Sequence, residues 1–357
     1  MKLLVVTQIV DKNDDVLGAF HQWIKRFAEV FDAVEVICLK RGETDLPANV
    51  RVHSLGKEEK PSRFRYIWRF YKYVFGLRKN YDAVFVHMNP EYVILGGPLW
   101  RLWGKVTFFW YAHKKGSWLR LVALRIANRV VSVSKESFNG SDSPKFLGVG
   151  HGVDPDLYSC PAHRASPDRK AILSVGRITP VKEYGLLIDA CRLLRDVYKR
   201  DDFVVQLVGG ASNDADRAYI AKLKEKIASY GLTDAFEFVG PVPNKDILPY
   251  LCPAAAFVSM QRIGGAGKSF LEAMSCGVPT IVSTPVFNPH LGEWLPYLFY
   301  DWTPEDFAAK LNACLSLSNE ERARMSETLR GIVVEHHNLK KLVRRLREEY
   351  ELVRARR

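Results

Sequence analysis

Short apolar runs alternate with amphipathic stretches along almost the whole chain. In the first half, "KLLVV", "AVEVICL", "VRVHSL", "DAVFVHM", "VTFFWYA" and "RVVSVS" read as strands, because they are short and rich in β-branched and aromatic residues. Between the first two lies "GAFHQWIKRFAEVF", where Phe20, Trp23, Ile24, Phe27, Ala28 and Phe31 recur at helical spacing. The pattern breaks at "SCPAHRASPDRK" (159–170), a polar stretch with two prolines that reads as a linker. Beyond it "AILSVG", "FVVQLVGG", "AFEFVG", "AAAFVSM" and "TIVS" again alternate with helical stretches. Near-continuous apolar strands separated by helices imply parallel sheets covered on both faces. The predicted fold is therefore α/β, with two doubly wound, Rossmann-like domains facing a cleft, over 1–160 and 168–337. Ligands in such sheets bind beyond the carboxyl ends of the strands, so function is expected in the loops that follow them.

Composition narrows the class. A 357-residue chain with 47% hydrophobic and 26% charged residues is that of an ordinary globular protein of about two domains. The N-terminus "MKLLVVTQIVDKNDD" has no small-residue cleavage site and reads as a buried first strand rather than a signal peptide. No apolar run approaches the ~18 residues of a membrane span. Six cysteines (Cys38, Cys160, Cys191, Cys252, Cys276, Cys314) are scattered without a C-x-x-C pair or metal-ligand spacing. They read as reduced, mostly buried thiols of a cytoplasmic protein. "DKNDD" (Asp11 to Asp15) lacks the downstream glutamate of a calcium loop and reads as solvated, so no metal is expected.

The candidate chemistry lies in the second half. "QRIGGAGKSFLEAMSCG" looks like a triphosphate-binding loop, but the position five before Gly267 is Arg262 rather than the glycine that pattern needs. What remains is a set of small residues that admit an anion, followed by a helix whose first N–H groups point at it. Lys268 sits at that helix start, and Glu272 lies one turn later on the same face. In "SVGRITPVKEYGLLIDA", Arg177 and Lys182 flank a turn after a strand and can converge on one anionic group. Together these suit a nucleoside diphosphate, with cations on phosphate and the carboxylate accepting from ribose hydroxyls. The competing reading is solvated loop charges for Arg177 and Lys182, and a surface i,i+4 pair for Lys268 and Glu272.

The segments "SVGRITPVKEYGLLIDACRLL", "FEFVGPVPNKDILPYL" and "GGAGKSFLEAMSCGVPTIVS", preceded by "VGHGVDPDLY", resemble the family 4 (group 1) glycosyltransferases of the GT-B fold. The resemblance implies that Arg177 and Lys182 hold the donor diphosphate and Glu272 the ribose. The amides of Gly265, Ala266, Gly267, Lys268 and Ser269 would line the phosphate and sugar, and Val242 would meet the base through its backbone. Gly18, in the first strand–helix loop, would let backbone approach the donor phosphate. His113, directly after the strand "VTFFWYA", stands at the family's active-site histidine; a structural histidine is the alternative. The resemblance makes 1–160 the acceptor-side domain and 168–337 the donor-binding domain, with the helix of 338–357 packing back onto the first. It also implies retention of anomeric configuration, with cationic side chains rather than a metal stabilising the leaving group. One departure stands out. The family's paired glutamates are separated by seven intervening residues, and Gly264 occupies the first position.

The formal net charge of +12 is concentrated locally. Residues 57–79 hold eight Lys or Arg against two Glu, interleaved with seven aromatics. At helical spacing Phe64, Ile67, Trp68, Tyr71, Val74 and Phe75 form one face and Arg65, Arg69 and Lys72 another. A core-packed helix with a solvated basic face is one reading, and attachment to an anionic membrane surface is the other. No nucleic-acid module is recognisable, so no nucleic-acid partner is expected. The functional expectation is transfer of a hexose-type unit from a nucleotide sugar, bound as substrate with no separate cofactor, to a glycan or lipid-linked acceptor in cell-surface polysaccharide or glycolipid synthesis. A nucleotide-sugar 2-epimerase on the same fold and a non-catalytic sugar-nucleotide or membrane-binding protein are the rivals.

Overall fold

The computed structural model describes residues 1–14, 17–59, 62–112, 118–135, 138, 142–160, 169–260, 267–284 and 288–356. They divide into two units, one of Met1–Asp154, Pro243–Lys245 and His337–Arg357, the other of Pro155–Val242 and Asp246–His336.

The first unit runs β1 (Lys2–Val10), α1 (Gly18–Val30), β2 (Ala33–Arg41), β3 (Val50–Ser54), α2 (Arg63–Gly76), β4 (Ala83–His87), α3 (Pro90–Leu102), β5 (Val106–Trp110), α4 (Trp118–Ile126), β6 (Arg129–Ser132) and β7 (Phe146–Gly148). The strands form one parallel sheet in the order β3-β2-β1-β4-β5-β6-β7. Period-2 geometry explains the unbroken apolar runs. Leu3 and Val5 enter a core with Trp23, Ile24 and Phe27 of α1. Their neighbours Leu4 and Val6 enter the opposite core with Phe70, Val74, Trp100 and Ala123.

The second unit runs β8 (Lys170–Val175), α5 (Tyr184–Asp196), β9 (Phe203–Val208), α6 (Asp214–Ser229), β10 (Phe236–Gly240), α7 (Leu248–Leu251), β11 (Ala256–Val258), α8 (Lys268–Ser275), β12 (Thr280–Ile281), α9 (Asn288–Leu291), α10 (Leu295–Leu298), α11 (Pro304–Leu315) and α12 (Asn319–His336). Its parallel sheet has the order β10-β9-β8-β11-β12. Helix α5 packs with α11, and α8 with α12. The chain then returns to the first unit as α13 (Leu339–Ala355). There Tyr350 stacks on Phe108 at 3.7 Å and donates its hydroxyl to the Val84 carbonyl at 2.7 Å. The α/β class and the two doubly wound parallel sheets expected from the apolar pattern are thus present, and β7 is a strand the pattern alone did not announce.

Two expectations are corrected. Helix α2 does not bury the aromatic face read from its spacing. Only Phe70 and Val74 are buried, while Phe64 (85% exposed), Trp68 (63%), Ile67 and Phe75 reach the surface. With seven aromatics around the 57–79 stretch, several apolar stripes compete, and the sheet selects the one through Phe70. Arg69 does not belong to a free basic face, since it donates to Glu59 at 2.6 Å and to the Leu55 carbonyl at 3.1 Å. The cysteines are not all reduced thiols either. Cys160 and Cys252 form a disulfide, and Cys38, Cys191, Cys276 and Cys314 are free and buried. The fold brings together residues 92 positions apart, which spacing along the chain does not report, and the compositional argument for a reducing compartment falls with it.

Candidate functional site

In each sheet the strand order reverses beside its first strand. In the second unit this happens between β8 and β11, so the loops after these strands diverge and leave a crevice for a ligand. The loop after β8 carries Arg177 and Lys182, and the segment after β11 leads into α8 with Lys268, Ser269 and Glu272.

Glycines set the backbone here. Gly176 has φ +125° and Gly209, after β9, has φ +140°. A Cβ on Gly209 would stand 2.1 Å from the Gly176 carbonyl oxygen, a contact no side chain tolerates. A Cβ on Gly176 would stand 2.6 Å from the Lys182 Nζ and push it away. The loop is pinned by Gly176 N–H to the Val208 carbonyl (2.8 Å) and Ile178 N–H to the Gly210 carbonyl (3.0 Å). The pair Gly209–Gly210 was not singled out from sequence, although two glycines directly after a strand are a signal of such close approach.

Lys182 and Ser269 meet at one atom. The Lys182 ammonium and the Ser269 hydroxyl each donate to the Val175 carbonyl, both at 3.4 Å. Lys182 also lies 5.9 Å above the ring of Tyr184. Burial pushes Lys182 down to about 8, with the like charge of Arg177 as a second cause. Burial pushes Lys268 down to about 8 as well, although Glu272 opposes the shift. Lys268 also opens α8, where the macrodipole disfavours a cation. Two lysines whose charge is destabilised, beside a helix N-terminus, form a site whose free energy falls when an anion enters.

The remaining candidates are distributed as follows. Arg177 is exposed immediately before this loop turns, and Glu272 is buried at 4% exposure one turn into α8. Val242 is half-buried in the loop after β10, where Pro241 lies 3.1 Å from the position of a Cβ on Gly210. Gly267 precedes α8 as its cap. Gly264, Gly265 and Ala266 lie outside the described residues, as do His113 and Asp15.

In the first unit, Gly18 opens α1 and donates its N–H to the Asp14 carbonyl at 3.0 Å. A Cβ there would meet the Lys12 carbonyl at 3.5 Å, so packing alone does not demand glycine. Asp11 closes a turn on the Asn13 N–H (3.0 Å), and Lys12 and Asn13 both reach Glu43. At the carboxyl end of β4, His87 stacks on Phe20 at 3.9 Å, with its Nδ1 3.3 Å from the Thr7 hydroxyl. His151 is held at its backbone N–H by His337 Nδ1 at 3.3 Å.

Residues 161–332 match the sequence profile of the family described as glycosyl transferases group 1. A mannosylfructose-phosphate synthase of Agrobacterium fabrum is 31% identical over 114 residues, 32% of this chain and 25% of that protein. A lipopolysaccharide core biosynthesis mannosyltransferase of Rhizobium meliloti is 27% identical over 206 residues, 56% of each chain. Alignments with such curated relatives thus span from 25% to 56% of the relatives' length. Among solved structures, Anabaena HepE in complex with UDP shares the fold with a TM-score of 0.75 at 17% identity, covering 99% of this chain and 100% of that one. Sucrose-phosphate synthase from Thermosynechococcus elongatus does so at 0.74 and 15%, covering 100% of both. The fold is that of these GT-B proteins.

Proposed function

We infer that the protein transfers a sugar from a nucleoside-diphosphate sugar to a glycan or lipid-linked acceptor, with retention at the anomeric carbon. The observation that carries this reading is the convergence of Lys182 and Ser269 on the Val175 carbonyl, beside the start of α8, at the reversal of strand order. In the reaction the bond from C1 to the diphosphate oxygen breaks, a bond from C1 to an acceptor oxygen forms, and the acceptor hydroxyl loses its proton. Arg177, Lys182, Lys268 and the amides from Gly265 to Ser269 stabilise charge on the departing diphosphate. Glu272 accepts from ribose hydroxyls, Val242 lies by the base, and His113 acts at the sugar. Gly264 leaves the donor sugar without a carboxylate at that position. The UDP-glucose complex of HepE and the mannosyl transfer named for the relatives make glucose- and mannose-bearing donors the first to test.

The deciding experiment is incubation with such donors, without acceptor and then with glycan or lipid acceptors. Slow release of nucleoside diphosphate, accelerated by an acceptor, is the expected result. Inversion at C2 of the donor sugar would instead make the protein an epimerase, and binding without either reaction a non-catalytic receptor.

The lysines give the reading a pH signature. Their folded values lie near 8, below the unfolded value of 10.5. Between these values the folded chain binds fewer protons than the unfolded one, so these groups make stability rise with pH in that window; below it both states are charged and the cost of burying the charge is constant with pH. A bound diphosphate needs both ammonium groups and reverses the preference. Affinity for UDP-glucose, whose diphosphate does not titrate there, is expected to hold below about pH 8 and fall above it, with proton uptake on binding. Calorimetry in buffers of different ionisation enthalpy measures both quantities. Affinity that ignores pH up to about 9.5, with no proton uptake, would remove the lysines from the site.

A lipid-linked acceptor also fits α2. Exposed Phe64, Ile67, Trp68 and Phe75 share that helix with exposed Arg63, Arg65 and Lys72, and Phe75 touches Trp103 beyond α3 at 5.3 Å. This face suits an anionic bilayer. No helix of the described residues is long and apolar enough to cross a membrane. The protein is expected to sediment with acidic vesicles, to release as salt rises, and to lose most binding when Arg63, Arg65 and Lys72 are changed together to Gln. Arg69 is spared because it holds Glu59. Binding indifferent to lipid charge and to the triple change would leave α2 as a packing helix only.

A further inference from the structure

Three of the six cysteines, far apart in sequence, meet in the second unit. The sulfur atoms of Cys160, Cys252 and Cys276 all lie within 4.8 Å of one another. Cys160 and Cys252 are joined as a disulfide, while Cys276 contributes a free thiol. A disulfide needs two sulfurs, so the third is unexplained by it. We propose that, when the disulfide is reduced, Cys160, Cys252 and Cys276 form a three-sulfur binding site for a soft d10 cation such as Zn²⁺ or Cu⁺.

Arg330 donates to the carbonyls of Pro155 (2.9 Å), Tyr158 (3.0 Å) and Ser275 (2.6 Å). The Ser275 hydroxyl donates to the Tyr158 carbonyl as well, at 2.8 Å. These bonds tie the segment before Cys160 to the end of α8, where Cys276 is the cap. Cys252 caps α7, whose Leu251 is buried. Reduction therefore frees two thiols while Arg330 and Ser275 still hold the segment before Cys160 against the end of α8.

The chemistry matches. Thiolates select soft cations, and a metal–sulfur bond of about 2.3 Å places neighbouring sulfurs roughly 3.8 Å apart in a tetrahedral site. From bonding distance in the disulfide, the Cys160 and Cys252 sulfurs separate by about 1.8 Å to reach that arrangement, while Cys276, already within 4.8 Å of both, closes by about 1 Å at most. Binding of a divalent ion displaces three thiol protons and leaves a site of net charge −1. Burial and then the Glu272 carboxylate push the Cys276 thiol up to about 12, so the cation displaces a tightly held proton; the Arg330 guanidinium opposes that shift and offsets part of the site's charge. Cys160 and Cys252 are half-buried, so a fourth position is open to water or another ligand. Because the disulfide uses two of the three ligands, metal and disulfide exclude one another. The Cys276 N–H is bonded to the Glu272 carbonyl at 3.0 Å, so the site anchors the helix that bears Lys268 and Glu272.

The test uses the full chain and Cd²⁺, whose bonds to thiolate give an ultraviolet charge-transfer band. The neighbouring rings of His290 and His336, an alternative place for an adventitious ion, give no such band. Protein reduced with a phosphine, which cleaves the S–S bond and is itself oxidised, is desalted without oxygen and titrated. One Cd²⁺ per chain is expected, with three thiols protected from alkylation. Cys276→Ser should weaken binding about tenfold or more and reduce the band by about a third, as one of three ligands is lost. Cys160→Ser, at a less buried position, should do the same and serves if Cys276→Ser fails to fold. Wild type with its disulfide intact should show no saturable band. A reduced protein without that band, a Cys160→Ser or folded Cys276→Ser variant with wild-type affinity, or equal binding by the disulfide form would each overturn the site.

Discussion

His113→Ala is expected to lower the turnover of sugar transfer by roughly 10²-fold or more, the range for a positioned acid–base or hydrogen-bonding group. Nucleoside-diphosphate affinity should stay within about a factor of three, because the side chains proposed to hold phosphate belong to the other unit. His113 follows β5, which lies between β4 and β6 in the sheet, and Tyr111 is fixed by its N–H bond to the Val131 carbonyl at 2.9 Å. A residue leaving a central strand at its carboxyl end is where such sheets place reacting groups. An imidazole there can donate to the donor sugar or orient the acceptor hydroxyl. The measurement is kcat at saturating donor, paired with calorimetry of the nucleoside diphosphate. Full turnover in the variant makes His113 a structural histidine. Loss of nucleotide binding would instead mean that the two halves of the reaction have been assigned to the wrong units.

Arg177→Ala and Lys182→Ala are each expected to weaken nucleoside-diphosphate binding by about 1.5–3 kcal/mol, the range for charge-assisted hydrogen bonds. Lys182 should show a second effect that a merely structural lysine would not. Its charge is disfavoured by burial in the ligand-free protein, so Lys182→Met, which keeps the apolar stem, is expected to leave Tm unchanged or raise it by a few degrees. Weaker binding together with unimpaired stability marks a group held ready for a ligand. Glu272→Gln should reduce affinity for nucleotides with intact ribose hydroxyls more than for their dideoxy analogues, since only the former offer donors to a carboxylate. Unchanged affinity on substitution at all three residues would dismiss it as a phosphate and ribose site.

The amino-acid sequence by itself determined most of the strands and the segments that follow them, β7 excepted. Leu3 to Val6 are apolar without alternation because both faces of their sheet are covered, a local pattern with a single architectural meaning. The placement of Arg177, Lys182 and Lys268 in the segments that follow β8 and β11 was legible, since strand and helix patterns bracket those segments. What burial does to those lysines was not legible. Their depressed values arise from surroundings supplied by several segments, and the place for the Lys182 ammonium exists because Gly176 has no side chain. The face of α2 was undecided for a related reason. Aromatics surround the helix, so its own periodicity offers several stripes, and contact with the sheet chooses Phe70 and Val74 over Phe64 and Trp68. The cysteines mark the limit most clearly. Spacing along the chain constrains only neighbours within a turn or a hairpin, whereas the sulfurs of Cys160, Cys252 and Cys276 come within 4.8 Å of one another only in the folded unit. Local preference is set by adjacent residues; proximity between distant ones is set by the closing of the core.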